Sequence, residues 1–211
     1  MNLKIYDDLI PPYLQDWFEL SIMGMNGKDP EQILYPVIPL KCKYEPTALE
    51  DDIDPPLSFS HVLKSSAVLS PFMDNFSLIP RAYCGKENLH LRDILQARVF
   101  LTVPYETQSS YNKPHTDLPW PHTVCLYYVN DADGPTAFYD NKGKVVEEVH
   151  PKKGRLAVFD GLTVHGGGIP RNGPRCIINY DISVEPYPEP LKDNNGSRSE
   201  EFLRKIRMPN S

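Results

Sequence analysis

The sequence places a histidine and an aspartate two residues apart in His115-Thr116-Asp117. In an extended segment, residues i and i+2 point to the same side, so the imidazole and the carboxylate can converge on one point. A lone His-x-Asp also occurs in surface turns, but His165 follows 48 positions after Asp117 and supplies a second imidazole. Two histidines and one carboxylate on one face of an octahedron are typical of non-haem Fe(II) and leave three coordination positions open. The spacing therefore predicts a metal centre formed by His115, Asp117 and His165.

Arg175 is the second residue that indicates chemistry, because it opens an alternating run ten positions after His165. One face of this run carries Arg175, Ile177, Asn179 and Asp181, and the other face is apolar. If the polar face lies in water, the run is an ordinary surface strand. If it lies inside a barrel, the guanidinium can bind a carboxylate through two parallel hydrogen bonds.

The elements that must position these residues are short strands. From Ile94 onward, apolar and polar residues alternate, and turn residues recur about every 8–12 positions. The predicted strands are 99–103, 122–130, 136–139, 145–149, 155–159 and 175–184. This rhythm indicates a mainly β domain, built as an antiparallel sandwich or barrel.

The rest of the chain has a different character. We interpret residues 1–211 as one domain: N-terminal helices and an irregular cover over 1–93, the β core over 94–185, and a polar tail over 186–211. A helix is predicted over 11–24, a second short helix in the 57–75 region, and a third in the tail from Ser199 to Arg207. The 22 prolines argue against long helices.

Six motifs between Arg98 and Ile182 resemble the 2-oxoglutarate- and Fe(II)-dependent dioxygenases, most closely their prolyl-4-hydroxylase-like branch. They follow the family's order and spacing over about 85 of the 211 residues. The motifs are Tyr111–Asp117 (YNKPHTD), Leu126–Asn130 (LYYVN), Gly134–Phe138 (GPTAF), Pro151–Phe159 (PKKGRLAVF), His165–Gly167 (HGG) and Gly173–Arg175 (GPR). The resemblance implies a double-stranded β-helix, or jelly roll, of roughly eight strands, with N-terminal helices supporting one sheet.

The resemblance also implies roles for single residues. The triad would bind Fe(II), and Arg175 would pair with the distal carboxylate of 2-oxoglutarate, whose other end chelates the metal. Tyr128 matches a tyrosine that often shares that carboxylate, and Tyr105 matches one that often lies near the cosubstrate. Asn179, on the Arg175 face, is a further candidate. For both tyrosines, aromatic core packing is the alternative.

The implied reaction is oxidative decarboxylation of 2-oxoglutarate with O2 to succinate and CO2, coupled to hydroxylation of a C–H bond. Resemblance to the branch favours a prolyl or other residue of a peptide or protein as substrate. A small-molecule 2-oxoglutarate oxygenase and a cupin-like metal-binding jelly roll without oxygenase activity remain alternatives. Only the last of these has no need of Arg175.

Charge and composition limit the partners. With 22 Lys and Arg against 28 Asp and Glu, the net charge of −6 disfavours nucleic acid. No apolar run approaches the roughly 20 residues of a membrane span, and the N-terminus lacks a signal-peptide pattern. The four cysteines are scattered singly, which argues against a zinc knuckle or a disulfide scaffold. We therefore expect a cytoplasmic protein without membrane contact.

Overall fold

A computed structural model describes residues 2–24, 38–43 and 57–186. Within these ranges the helices are α1 (Pro12–Met23), α2 (Met73–Phe76) and α3 (Leu78–Lys86). The strands are β1 (Lys4–Tyr6), β2 (Lys41–Lys43), β3 (Ser58–Lys64), β4 (Leu89–Thr102), β5 (Thr123–Tyr128), β6 (Thr136–Tyr139), β7 (Val145–Val149), β8 (Leu156–Asp160), β9 (His165–Gly167) and β10 (Arg175–Pro186). None of the described helices has the length and apolar character needed to span a bilayer.

The strands form two antiparallel sheets that face each other. The larger sheet has the order β1-β8-β5-β10-β4-β3-β2, and the smaller has the order β7-β6-β9. Isolated bridges from Tyr111 to Gly168 and from His115 to His165 extend the smaller sheet beyond β9. The prediction of a mainly β double-stranded β-helix is confirmed, with ten described strands in place of the roughly eight expected.

The alternation predicted for β10 separates two hydrophobic cores. On the outer face of the larger sheet, Ile178 and Tyr180 pack with helix residues such as Phe18 and Phe76. On the inner face, Ile177 packs with residues of the opposite sheet such as Phe138. Because successive side chains of a strand point to opposite faces, one strand serves both cores, and its polar inner residues enter the space between the sheets.

The N-terminal segment contributes more β structure than its sequence indicated. β1 pairs with β8 at one edge of the larger sheet, while β2 and β3 extend the other edge beyond β4. The short helix predicted in the 57–75 region, around His61–Leu69, is wrong, because β3 runs from Ser58 to Lys64 and α2 begins only at Met73. Pairing with β4 is a non-local interaction that the local pattern did not reveal. The predicted tail helix lies outside the described residues.

Helix α3 was not predicted, and it contains Pro80. The helix begins at Leu78, so Pro80 occupies the first turn. Backbone N–H groups in the first turn have no acceptor within the helix, and proline therefore costs no hydrogen bond there. The helix packs Ile79 and Tyr83 into the outer core.

A bidentate ion pair between Arg155 and Asp7, the residue after β1, holds this strand at the edge of the sheet. Arg155 Nε lies 2.6 Å from Asp7 Oδ1, and Nη2 lies 2.9 Å from Oδ2. These hydrogen bonds, which outweigh the opposing effect of burial, lower the pKa of Asp7 to about 2. The pair joins the N-terminal segment to the turn that precedes β8.

We expect Phe18→Ala to lower the free energy of unfolding by about 3–5 kcal/mol. Phe18 is fully buried and contacts the rings of Trp17, Phe76 and Tyr127, so truncation leaves a cavity between α1 and the sheet. Tyr13→Ala on the same helix is the control, because Tyr13 is 69% exposed; its effect should stay within about 0.5 kcal/mol. Urea unfolding measures both, and equal losses would contradict the packing described here.

We expect Asp7→Asn to lower the free energy of unfolding by about 1 kcal/mol at pH 7, after allowance for partial exposure. The pKa of Asp7 is lower in the folded than in the unfolded chain, so the ion pair stabilises above pH 4. That stabilisation disappears as the pH falls from about 4 towards 2. Urea midpoints across this range, with the exposed neighbour Asp8→Asn as control, test the expectation. A pH-independent difference would contradict it.

Candidate active site

The structure brings the three predicted metal ligands together on the smaller sheet. His115 and His165 are directly opposite each other in an antiparallel bridge, with reciprocal backbone hydrogen bonds of 2.9 and 3.0 Å. Their rings consequently lie on one face, with centroids 4.9 Å apart. Asp117, two residues after His115, points to the same place, as the i, i+2 rule predicts.

The ligand atoms are arranged around a common point. Nε2 of His115 lies 3.7 Å from Oδ1 of Asp117, and Nε2 of His165 lies 3.4 Å from Oδ2. All of the candidate ligand atoms are within 4.8 Å of one another. Each Nδ1 lies 3.0 Å from a backbone carbonyl, that of Lys113 or that of Thr163. When Nδ1 donates to these carbonyls, Nε2 keeps its lone pair for a metal, which is the usual outer arrangement of metal-binding histidines.

Asp117 is a partly buried carboxylate whose Oδ2 atom is buried and lacks a hydrogen-bond partner among the described residues. Burial raises the pKa of Asp117, but His165, His115 and Asn179 lower it more, so the net pKa is below its ordinary value. Burial lowers the pKa of His165, and the charge of Asp117 more than reverses this. The site therefore favours an anionic carboxylate that attracts either a proton or a metal cation.

Arg175 lies at the start of β10 with only 3% of its surface exposed. Nε donates to the carbonyl of Gly134 at 2.7 Å, and Nη2 donates to Oγ1 of Thr136 at 2.8 Å. The guanidinium also lies 5.7 Å from the ring centre of Tyr128. No carboxylate in the described part of the chain pairs with it. The protein thus buries a positive charge against neutral oxygens, an arrangement suited to an incoming anion.

The glycines after His165 allow two segments to approach the site. A Cβ at Gly166 would lie 2.9 Å from the carbonyl oxygen of Asn112, and a Cβ at Gly168 would lie 2.4 Å from that of Pro135. At Gly167 a Cβ would lie 3.4 Å from Nη1 of Arg175. The three glycines therefore let the strand carrying His115 and the turn before β6 pack closely around the metal ligands and the arginine.

The space between the sheets contains a cavity of about 280 Å³ that joins the triad to Arg175. One wall comes from alternate residues of β4 and β10, and the opposite wall comes from the smaller sheet. The β4 and β10 residues that line it are Gln96, Arg98, Phe100, Thr102, Arg175, Ile177 and Asn179. The polar face of β10 is thus inside the barrel and not in water, which decides between the two interpretations of that strand.

The remaining predicted cosubstrate residues differ in position. Asn179 lines the cavity, with Oδ1 buried and without a hydrogen-bond partner. Tyr128 is fully buried behind the lining, where its hydroxyl lies 2.7 Å from Oγ1 of Thr136 and 3.2 Å from the carbonyl of Val149. Tyr105 lies outside this cavity, beside Arg171 in a separate surface depression. Tyr128 therefore lies against the Arg175 guanidinium and also hydrogen-bonds Thr136, a second partner of that arginine, whereas Tyr105 does not line the cavity.

Two residues that were not among the predicted site residues, His122 and Asp181, lie beside the triad. Both side chains are completely buried, and Nε2 of His122 lies 3.3 Å from Oδ1 of Asp181. Asp117 is close enough for the three to form a second cluster of potential ligands. Burial, reinforced by the charge of Asp117, raises the pKa of Asp181 to about 6. The alternation of β10 placed Asp181 on the inner face, but its partner on another strand left no local signal.

Comparison with solved structures supports the fold. A Pseudomonas putida prolyl-4-hydroxylase matches with a TM-score of 0.55 and 14% identity, over 85% of this chain and 91% of that chain. A Trichoplax adhaerens prolyl hydroxylase, solved with a hypoxia-inducible-factor peptide fragment, gives 0.56 and 12%, over 85% and 83%. The α-ketoglutarate-dependent epimerase SnoN from nogalamycin biosynthesis gives 0.57 and 12%, over 86% and 77%. This chain has the fold of the 2-oxoglutarate–Fe(II) oxygenases.

At the level of sequence, no family model and no curated protein matches the chain. The fold is therefore shared across relatives of 12–14% identity. In this chain the fold carries the His115, Asp117 and His165 group, and the fold alone does not determine the chemistry of that site.

We expect His115→Ala, Asp117→Ala and His165→Ala each to weaken Fe(II) binding by more than about 100-fold, since loss of even an outer-shell partner costs 10–100-fold. Each change removes one of three protein ligands. The exposed His90→Ala, distant from the cavity, is the control and should bind Fe(II) like wild type. Anaerobic titration measures the affinity, and circular dichroism checks the fold. Wild-type affinity in His165→Ala would show that the metal is bound elsewhere.

Proposed function

We propose that this protein is an Fe(II)- and 2-oxoglutarate-dependent oxygenase that hydroxylates a C–H bond with O2 and converts 2-oxoglutarate to succinate and CO2. One observation carries the proposal: a His-Asp-His group and a buried arginine without a carboxylate partner line the same cavity. A metal-binding jelly roll without oxygenase activity would need the first feature and not the second.

The donors fit Fe(II). Two imidazole Nε2 atoms and one carboxylate form an open set of three, whereas a structural zinc site is normally closed by a fourth protein ligand. The orphaned Oδ2 of Asp117 is the atom that a cation would satisfy. Bound Fe(II) would supply the redox chemistry that activates O2. His115, Asp117 and His165 would hold it and leave three positions for the cosubstrates.

The arginine pocket fits the distal carboxylate of 2-oxoglutarate. Arg175 would bind it, while Gly134 and Thr136 fix the plane of the guanidinium through their hydrogen bonds. The hydroxyl of Tyr128 donates a hydrogen bond to Oγ1 of Thr136 and so helps to fix the position of that side chain. Because the guanidinium is buried, the charge pair that it forms would be shielded from water and correspondingly strong. The apolar inner core beside the cavity would exclude water from the reacting groups.

For the substrate, a prolyl or other residue of a peptide or protein is our first proposal. It is supported by fold neighbours, one of which is a prolyl hydroxylase solved with a peptide fragment. A small molecule is the second candidate, because the cavity of about 280 Å³ is slightly smaller than typical ligand pockets, whose volumes start near 300 Å³. Nucleic acid is disfavoured by the net charge of −6.

The direct test is succinate formation from 2-oxoglutarate with Fe(II) and O2. We expect Arg175→Ala to weaken 2-oxoglutarate binding by roughly 30- to several-thousand-fold, because truncating one partner of a buried charge pair costs about 2–5 kcal/mol. Arg175→Lys keeps the charge but loses the planar fork, so its affinity should lie between those of the alanine variant and the wild type. The dissociation constant is measured with Fe(II) present and O2 excluded.

Arg81→Ala is the matched control, since it removes the same charge from the outer helix α3, where Arg81 contacts Ser77. It should bind 2-oxoglutarate like wild type. Iron binding should survive in all three variants, because none of them removes a metal ligand. Unchanged 2-oxoglutarate affinity in Arg175→Ala would leave only a metal-binding jelly roll.

A further inference from the structure

The inner wall of the larger sheet carries a second arginine. Arg98 of β4 pairs in register with Asn179 of β10, which in turn pairs with Leu126 of β5. All three residues line the cavity as one cross-strand row. Arg175 lies four residues before Asn179 on β10, a distance of roughly 13 Å along a strand. The two arginines therefore occupy different parts of one cavity.

Arg98 has no partner within the described ranges. Its Nε is buried, and neither a hydrogen bond nor an ion pair joins its side chain to another described residue. The other arginines in those ranges are all satisfied: Arg155 by Asp7, Arg92 by Glu185, Arg81 by Ser77, and Arg171 and Arg175 by carbonyl or hydroxyl oxygens. A buried donor without a hydrogen-bond partner destabilises the folded protein, more so when it is charged, so a ligand that bonds to it would recover that free energy.

The acids nearest in the fold do not provide this partner. Asp117 faces the two histidines of the triad. Asp181, in the next cross-strand row beside Gln96, lies 3.3 Å from Nε2 of His122, and no ion pair or hydrogen bond joins it to Arg98 among the described residues. The positive charge of Arg98 is therefore directed at the cavity without an internal anion to balance it.

The two carboxylates of 2-oxoglutarate do not account for Arg98 either. In the proposed function, one is bound by Arg175 and the other lies at the metal. Arg98 is then a third cationic position, next to Asn179, which contacts Asp117. An anion held there would place the atoms attached to it beside the metal centre, where the substrate must lie.

We propose that Arg98 binds a carboxylate of the primary substrate, so that the enzyme selects an anionic substrate whose target C–H bond is close to that carboxylate. The inference rests on the proposed function and names the substrate class for the same site. The carboxylate has two possible sources: a small free acid, or an acidic side chain of a peptide. A guanidinium binds either in the same way, so the experiment must separate them.

The test uses two matched probe pairs on protein loaded with Fe(II) and saturating 2-oxoglutarate, with O2 excluded. The first pair is N-acetylglycine and N-acetylglycinamide. The second is a capped tetrapeptide, Ala-Glu-Pro-Ala, and its glutamine analogue. Ligand-detected NMR titration gives the dissociation constants. We expect the anionic member of one pair to bind at least tenfold more tightly than its neutral partner. The first pair would identify a free acid, and the second an acidic peptide.

Arg98→Ala should abolish this charge preference, Arg98→Gln should do the same while keeping side-chain bulk, and Arg98→Lys should retain part of it. Arg92→Ala is the matched control. It removes the same charge from the same strand, but Arg92 does not line the cavity. It should keep the wild-type preference. Urea unfolding confirms that each variant is folded.

Several results would overturn the inference. The inference is wrong if the wild type binds the anionic and neutral members of both probe pairs equally tightly. It is also wrong if Arg98→Ala and Arg98→Gln still prefer the anionic member. A tenfold loss of 2-oxoglutarate affinity in Arg98→Ala, measured without any probe, would assign Arg98 to the cosubstrate instead. Failure of the wild type to bind 2-oxoglutarate at all would overturn the proposed function, which the same samples report separately.

Discussion

The reciprocal backbone hydrogen bonds between His115 and His165 are the interaction on which the site depends. They join the segment before β5 to β9, and a directly opposed antiparallel pair must present both side chains on one face. The carboxylate of Asp117 lies on the same face because residues two positions apart in an extended segment point to the same side. The glycines after His165 are needed because any side chain at Gly166 or Gly168 would push apart the backbones that this pairing brings together. The grouping of the three candidate metal ligands is thus a consequence of sheet register.

A second constraint is the free-energy cost of burying charged side chains between the two sheets. Asp117, Asp181, Arg98 and Arg175 all direct polar atoms into a space otherwise filled by Val124, Leu126, Phe138 and Phe159. Buried charges destabilise a fold unless they are paired. The outer core, where α1 and α3 pack aromatic rings on the other face of the larger sheet, supplies the stability that tolerates this. The outer faces of β4 and β10 pack in the hydrophobic core, and their inner faces carry the polar residues of the cavity, so one sheet provides both stability and the site.

The two arginines of the cavity, Arg175 on β10 and Arg98 on β4, differ in how firmly the surrounding residues hold their side chains. Arg175 is fixed by hydrogen bonds to Gly134 and Thr136, so it is oriented before a ligand arrives. Arg98 has no such support among the described residues. For the roles proposed above, an oriented guanidinium would suit the constant cosubstrate, whereas an unsupported one would adapt to its ligand at a cost in side-chain entropy.

By itself, the sequence determined the mainly β class, the division of β10 into a polar and an apolar face, and the shared direction of His115 and Asp117. All of these follow from a period of two, which is local, whereas the tertiary structure placed the polar face of β10 inside the barrel. The strands β1 and β3, the pairing of His122 with Asp181, and the isolation of Arg98 were decided only by tertiary structure. So was the position of Tyr105, ten residues before His115 in sequence and yet outside the cavity. Each depends on which strands lie side by side and in what register, and contacts between residues far apart in the chain leave no periodic signal in either segment.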